Sequence, residues 1–262
     1  MSAVDYSKTR KRYFGLEQEL GVKRDNTNAW HEREYVYSEA KSRKLDMYNV
    51  SVDCGCIEYV SNPVPLSSIV KGKRIPKLER FLGDMGLKPD AKGGTHLHIS
   101  LKERDNKWTT NNALYLAAQF YEEFQAICGR KSNRWAQKPM SFGSDAREKV
   151  KERVFDPAQA YSRYYWILTP TLHKTIEFRG PKGTRSINDI RAWAEFLDQI
   201  VRVSNQDSIE GVKFKDLIKG KHIEARVDKL IKQGKIKEEI MEYQIGPDYK
   251  NKTFVERNIV CA

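Results

Sequence analysis

Four short stretches of this chain put ionisable residues on one parity and apolar residues on the other, and that pattern leaves few folds open. In a β-strand, residues two apart share a face. Along residues 13–21, Phe14, Leu16 and Leu20 alternate with Glu17 and Glu19, and Gln18 interrupts the apolar face. Along 55–60, Ile57 and Tyr59 point one way and Glu58 the other. Along 95–101, Leu97, Ile99 and Leu101 alternate with His96, His98 and Ser100. Along 174–179, Ile176 and Phe178 alternate with Thr175, Glu177 and Arg179. Four half-buried strands of this kind predict a sheet with one apolar face under helices. Its other face gathers Glu17, Glu19, Glu58, His96, His98, Glu177 and Arg179.

The connections agree. Ser61-Asn62-Pro63 is a turn signal after the second strand. Helical spacing over 67–83 carries Pro76 as a kink or a start. Residues 104–107 turn out of the third strand, and Asn112 precedes a helix over 113–128 that Gly129 closes. Ser186 with Asp189 three residues on resembles a capping box. The helix behind it bears Ile190, Trp193, Phe196, Leu197, Ile200 and Val201 on one side. Residues 22–50 are polar and suit a hairpin or an ordered loop. Residues 130–161 are basic and aperiodic, a candidate flexible segment over the active face. Residues 209–243 read as two or three short basic helices. The expected fold is α+β: a largely antiparallel sheet, helices on one face, and a helical C-terminal appendage. The expected division is a catalytic domain over 1–204 and the basic appendage over 205–262.

Bulk properties bound the partners. The 262 residues carry 47 Lys and Arg against 35 Asp and Glu, a net charge of +12 that favours phosphates, nucleic acid or acidic surfaces. No apolar run reaches the length of a membrane span, and the polar N-terminus is not a secretory signal. Cys54 and Cys56 are too close for a zinc knuckle, and Cys128 and Cys261 stand alone, so a reducing cytoplasm is the expected compartment. Lysines over 212–237 could contact nucleic acid, but Glu210, Glu224, Asp228, Glu238 and Glu239 interleave with them, and a solvated amphipathic surface is favoured.

The polar sheet face is the chemical signal. Four carboxylates together repel one another, and cations relieve that repulsion. Their oxygens are hard ligands that suit magnesium or manganese better than zinc. Two ions there could bridge nucleotide phosphates, and Arg179 could hold a phosphate bidentately. Each motif has a plainer reading alone: Glu-x-Glu as a solvated face, His-x-His as structural, Glu177 and Arg179 as salt-bridge partners. The joint reading needs four strands in matching phase.

FGLEQELG, DCGCIEYVSNPVPL, GGTHLHISL and KTIEFRGPKGT, in this order, resemble the catalytic strands of the glutamine synthetase and glutamate-cysteine ligase superfamily, in particular its amidoligase branch. The resemblance covers residues 13 to about 204. It implies that Glu17, His96 and Glu177 hold one metal ion, Mg2+ or Mn2+, and that Glu19 and Glu58 hold a second. It implies that Arg179 contacts the transferred phosphate and that Asp53 serves either as a base near the amine or as a support behind the ligands. Arg163, Arg130 and Lys174 are its candidates for binding ATP. The implied reaction phosphorylates a carboxylate with ATP and lets an amine displace the phosphate, giving an amide or peptide bond. The substrates are small molecules, peptides or proteins. The family is often encoded by phages, which would place the chain in a host cytoplasm, and its larger branch forms oligomeric rings. The competing reading is a catalytically inactive binding or structural protein, phage- or nucleic-acid-associated, that keeps the fold. The complete ligand set argues for the enzyme.

Overall fold

The computed structural model describes residues 11–21, 29–45, 47–53, 55–89, 93–102, 105, 109–130, 136–137, 166–171 and 174–246. In chain order the elements are β1 (Tyr13–Leu20), α1 (Ala29–Ser42), β2 (Met47–Asp53), β3 (Cys56–Ser61), β4 (Val64–Pro65), α2 (Leu66–Val70), α3 (Arg74–Asp84), β5 (Thr95–Ser100), α4 (Thr109–Gln119), α5 (Tyr121–Cys128), β6 (Leu168–Pro170), β7 (Thr175–Phe178), α6 (Ile187–Ser204) and α7 (Lys221–Lys232). Two 3-10 turns, Phe214–Leu217 and Glu238–Glu242, flank α7. Among the described residues no helix is long and apolar enough to cross a membrane.

The fold is α+β around one antiparallel sheet. Its described strands run β2-β3-β1-β5-β7-β6, with β4 also paired to β1. The register puts Glu19 opposite Glu58, Glu17 opposite His96, and His98 opposite Glu177. Directly opposed residues point the same way, so the polar parities of β3, β1, β5 and β7 coincide on one face. Phe14, Leu16, Leu97, Ile99 and Phe178 fill the other face and belong to a single hydrophobic core. On that face Phe124 of α5 meets Phe178 at 6.2 Å and Phe196 of α6 at 4.7 Å, both edge-on.

Several elements differ from the sequence expectation, each for a local reason. The helix expected over 67–83 is two, α2 and α3. A Cβ on Gly72 between them would fall 2.1 Å from the Ser68 carbonyl oxygen, so the chain can turn tightly there. Pro76 sits in the first turn of α3, where its missing N–H costs nothing. The helix over 113–128 starts earlier and breaks at Phe120, and Gly129 ends it at φ 68. Asn112 lies inside α4 rather than capping it. Its buried amide donates to the Ser204 and Gln206 carbonyls, both at 3.0 Å, which ties α4 to the end of α6. The polar stretch 22–50 contains α1 and the start of edge strand β2. From α1, Val36 and Ala40 reach the core. Ser186 caps α6 by accepting from Asp189 N at 3.3 Å, as its spacing implied.

The residues after 204 contribute to the same core. Ile209, Phe214, Leu217, Ile223 and Val227 are at most 0% exposed, and Phe214 packs on Phe120 at 5.1 Å. Phe214→Ala is expected to lower unfolding free energy by about 3–5 kcal/mol in a denaturant titration, the usual cost of deleting a buried ring. A loss under about 1 kcal/mol would make that segment a passive attachment.

Candidate metal centre

The side chains on the polar face converge because strand parity aims them there while the opposite parity anchors the strands. Glu17 lies at the middle. Its Oε2 is 3.4 Å from His96 Nδ1 and its Oε1 is 3.1 Å from His98 Nε2. Glu177 Oε1 is 3.4 Å from His96 Nδ1 and 3.8 Å from His98 Nε2. Glu19 Oε2 is 4.0 Å from His96 Nε2. Glu17, His98 and Glu177 each present a donor atom within 4.8 Å of the others, a spacing that one ion could bridge.

Neighbouring groups hold these side chains in place. Gly94 N donates to Glu19 Oε2 at 2.7 Å. Thr175 Oγ1 lies 3.4 Å from His98 Nδ1, which leaves Nε2 facing the carboxylates. Ser51 on β2 donates to Glu58. Backbone glycines make room for this. A Cβ on Gly93 would fall 2.3 Å from the Glu19 carbonyl oxygen. One on Gly94 would fall 2.9 Å from His96 Nε2, 3.1 Å from Arg130 Nη1 and 3.3 Å from Glu19 Oε2.

The electrostatics show a surplus of negative charge. Burial pushes the Glu58 carboxyl up; the Ser51 hydrogen bond opposes this, and the charges of Glu17 and Glu19 add to it. Burial also works against the ionised form of Glu17, but contacts with His96 and His98 outweigh it and hold that carboxyl well below the usual range. Burial disfavours charge on His98, yet the Glu177 charge and the Glu17 contact raise it. Two imidazoles thus stand where cations are wanted. Carboxylates with an adjacent imidazole form a donor set that fits manganese well and magnesium through its oxygens.

Of the residues singled out in sequence, Glu17, Glu19, Glu58, His96 and Glu177 come together on this face. Arg130 joins them from the end of α5. Burial pulls its guanidinium down and the Glu19 carboxylate opposes that. Arg179 is also present, with Nη1 donating to Glu177 Oε1 at 2.7 Å. That is the salt-bridge arrangement, and a bound phosphate would have to share or replace it. Asp53 is exposed at the end of β2, opposite Cys56, at the sheet edge. Lys174 is exposed at φ 54 in the turn before β7, away from the Arg179 end of that strand. Arg163 lies outside the described residues. Cys56 and Cys128 are buried free thiols. The resemblance assigned no ligand role to His98, although parity placed it on the right face. Ser51 was missed, and its signal was the β2–β3 pairing that a polar segment does not advertise.

No protein-family model matches the chain, and no curated protein matches it. Among solved structures, the chain is similar to a chain in the crystal structure of the complex between the prokaryotic ubiquitin-like protein Pup and its ligase PafA. That match has a TM-score of 0.43 and 14% identity, covering 82% of this chain and 51% of the other. It is also similar to apo GmaS without ligand, with a TM-score of 0.41 and 12% identity, covering 74% of this chain and 54% of the other. The chain therefore spans about half the length of each.

Gly94→Ala tests the geometry. The added methyl would press on His96, Arg130 and Glu19 together. Manganese affinity, read by electron paramagnetic resonance of the free ion, is expected to fall about 10–100-fold, as when groups orienting a metal ligand are disturbed. Unchanged affinity would place the ion elsewhere.

Proposed function

We propose that this protein is an ATP- and divalent-metal-dependent ligase that joins a carboxylate to an amine through an acyl phosphate. The observation that carries the reading is the convergence of Glu17, Glu19, Glu58 and Glu177 with His96 and His98 on one sheet face. The resemblance of the same four segments to amidoligase strands supplies the substrate class, a carboxylate and an amine on small molecules, peptides or proteins.

In this reading Glu17, Glu177 and a histidine from β5 would hold one ion, and Glu19 and Glu58 would hold the other. When bound, the ions neutralise phosphate charge during transfer. The chain does the rest. Arg179 leaves Glu177 for the terminal phosphoryl group, which its planar fork fits. Arg130, already beside Glu19, faces the other phosphate oxygens. The substrate carboxylate oxygen bonds to phosphorus as the bond to ADP breaks. The amine nitrogen then bonds to the carbonyl carbon as phosphate leaves, and its proton must pass to a base. Asp53 is the proposed acceptor, although it stands at the sheet edge.

Calorimetric titration of ATP is expected to show binding with magnesium and none in chelator. With ATP, magnesium, a pool of acidic peptides and hydroxylamine as the amine, ADP and a hydroxamate are expected in equal amounts. Equal ATP binding in chelator would overturn the reading.

Two substitutions refine it. Glu177→Gln is nearly isosteric, and Ile176 and Phe178 keep β7 packed. Without metal the mutant keeps a hydrogen bond from Arg179 but loses the ion pair, so the magnesium shift of each protein is read from its own metal-free melting temperature. Saturating magnesium should raise the mutant's melting temperature less than it raises the parent's, since an ion stabilises only the state that binds it. An equal shift in both proteins would remove Glu177 from the ligand set. Arg179→Lys keeps the charge and loses the fork. Turnover is expected to fall about 100-fold or more with ATP affinity changed much less, the pattern of a contact made in the transition state. A proportionate loss in both would reduce Arg179 to the partner of Glu177.

A further inference from the structure

The apolar face of the sheet carries a cavity that the metal chemistry does not use. Leu16 of β1 and Tyr59 of β3 lie against it from the sheet, and Ile69, Ile75 and Leu78 from α2 and α3. Its volume is about 210 Å3. A dry apolar cavity of about 150 Å3 is enough to hold benzene. This one has room for an aromatic ring and a short chain.

Its lining is not uniformly apolar. Leu16, Tyr59, Ile69 and Leu78 are at most 5% exposed, whereas Lys44, Arg74 and Lys77, which also line it, are exposed. The cavity therefore has an apolar floor and a cationic mouth. Neither lysine forms an ion pair with a carboxylate among the described residues, although Arg43 close by is paired with both Glu39 and Asp84. Ser61 lines the cavity too. Its Oγ accepts from Leu16 N at 3.0 Å, which leaves its own O–H to donate.

Lys44 adds a second observation. It follows α1 at φ 51, a left-handed conformation that glycine or asparagine normally takes at a helix end. A lysine there is strained by its own Cβ. Strain of this kind is a reason to look for a role.

We propose that this cavity binds a small amphipathic carboxylate, with its apolar body against Leu16 and Tyr59 and its carboxylate at the mouth with Lys44, Lys77 and the Ser61 hydroxyl. The site lies behind the sheet from Glu17 and is independent of the ligase reading.

The test uses the full chain without metal or nucleotide. 3-Phenylpropionate is titrated by calorimetry, with 3-phenylpropanol as the neutral comparison, and nuclear Overhauser contacts from the ring protons locate it. Saturable binding in the millimolar range or tighter is expected, with ring contacts to Leu16 or Ile69 methyls. The alcohol should bind about five- to tenfold more weakly, and so should the acid to Lys44→Gly/Lys77→Gln, as for two partly solvated ion pairs. Lys44→Gly alone should weaken binding while melting no lower than the parent, because glycine relieves the strained backbone. This separates lost affinity from lost folding. Leu78→Trp, which fills the cavity, should abolish binding. No saturation up to about 10 mM, a range that still detects millimolar affinity, would leave the cavity as packing space. Equal affinity for acid and alcohol, or undiminished binding in the double variant, would overturn the proposal even if Leu78→Trp failed to fold.

Discussion

The site depends on the parity of four neighbouring strands. β3, β1, β5 and β7 are fixed from behind by Tyr59, Leu16, Leu97 and Phe178, each at most 2% exposed. A slip of one residue in any of them would turn its acidic or histidine side chain into that core. An ionised carboxylate there, with no partner, costs far more than one hydrogen bond returns. The core and the charged face therefore specify each other: apolar packing fixes the register, and the register fixes which carboxylates meet. Glu17 shows the result. Both imidazoles reach it from β5 on one side of β1, Glu58 stands on β3 on the other side, and Glu177 on β7 lies across β5.

This explains which parts were legible in the sequence. Strands with one buried face write their register in alternation, so β1, β3, β5 and β7 could be read, and with them the shared face of the site residues. Glycine at φ 68 after α5 and the Ser186 cap were legible because each answers a local geometric demand. What failed to show was whatever tertiary contact alone decides. Helix α1 reaches the core chiefly through Val36 and Ala40 and has no strong apolar stripe, so a polar 22–50 looked irregular. Asn112 resembled a cap because nothing local reveals the two carbonyls of 204 and 206 that its amide serves. Likewise nothing local tells whether a ring such as Phe214 is a tail residue or a core residue.

Gln18 is the exception within a readable strand. It stands on the apolar parity of β1, fully buried, opposite Thr95, and neither its amide atoms nor Thr95 Oγ1 have a hydrogen-bond partner among the described residues. An unsatisfied buried polar group costs about 1–3 kcal/mol. The strand holds its phase regardless, which shows how strongly Phe14, Leu16 and Leu20 outweigh one wrong residue.

The C-terminal segment reaches the site by an indirect route. Glu195, buried in α6, accepts from His222 N at 2.8 Å and Ile223 N at 3.0 Å, which satisfies two free N–H groups at the start of α7. With α7 seated, its Arg226 donates to the Ile127 carbonyl at 2.6 Å, pairs with Asp189 at 2.5 Å, and lies over the Trp193 ring. Ile127 belongs to the last turn of α5. A cation at a helix C-terminus satisfies a free carbonyl and opposes the helix dipole. Gly129 ends the helix at φ 68, and Arg130 after it lies beside Glu19 and Gly94. The basic C-terminal segment thus bears on the charged face through the α5 terminus. Among its described residues most lysines are exposed, and Arg226 points inward to the turn that carries Arg130 to the carboxylates.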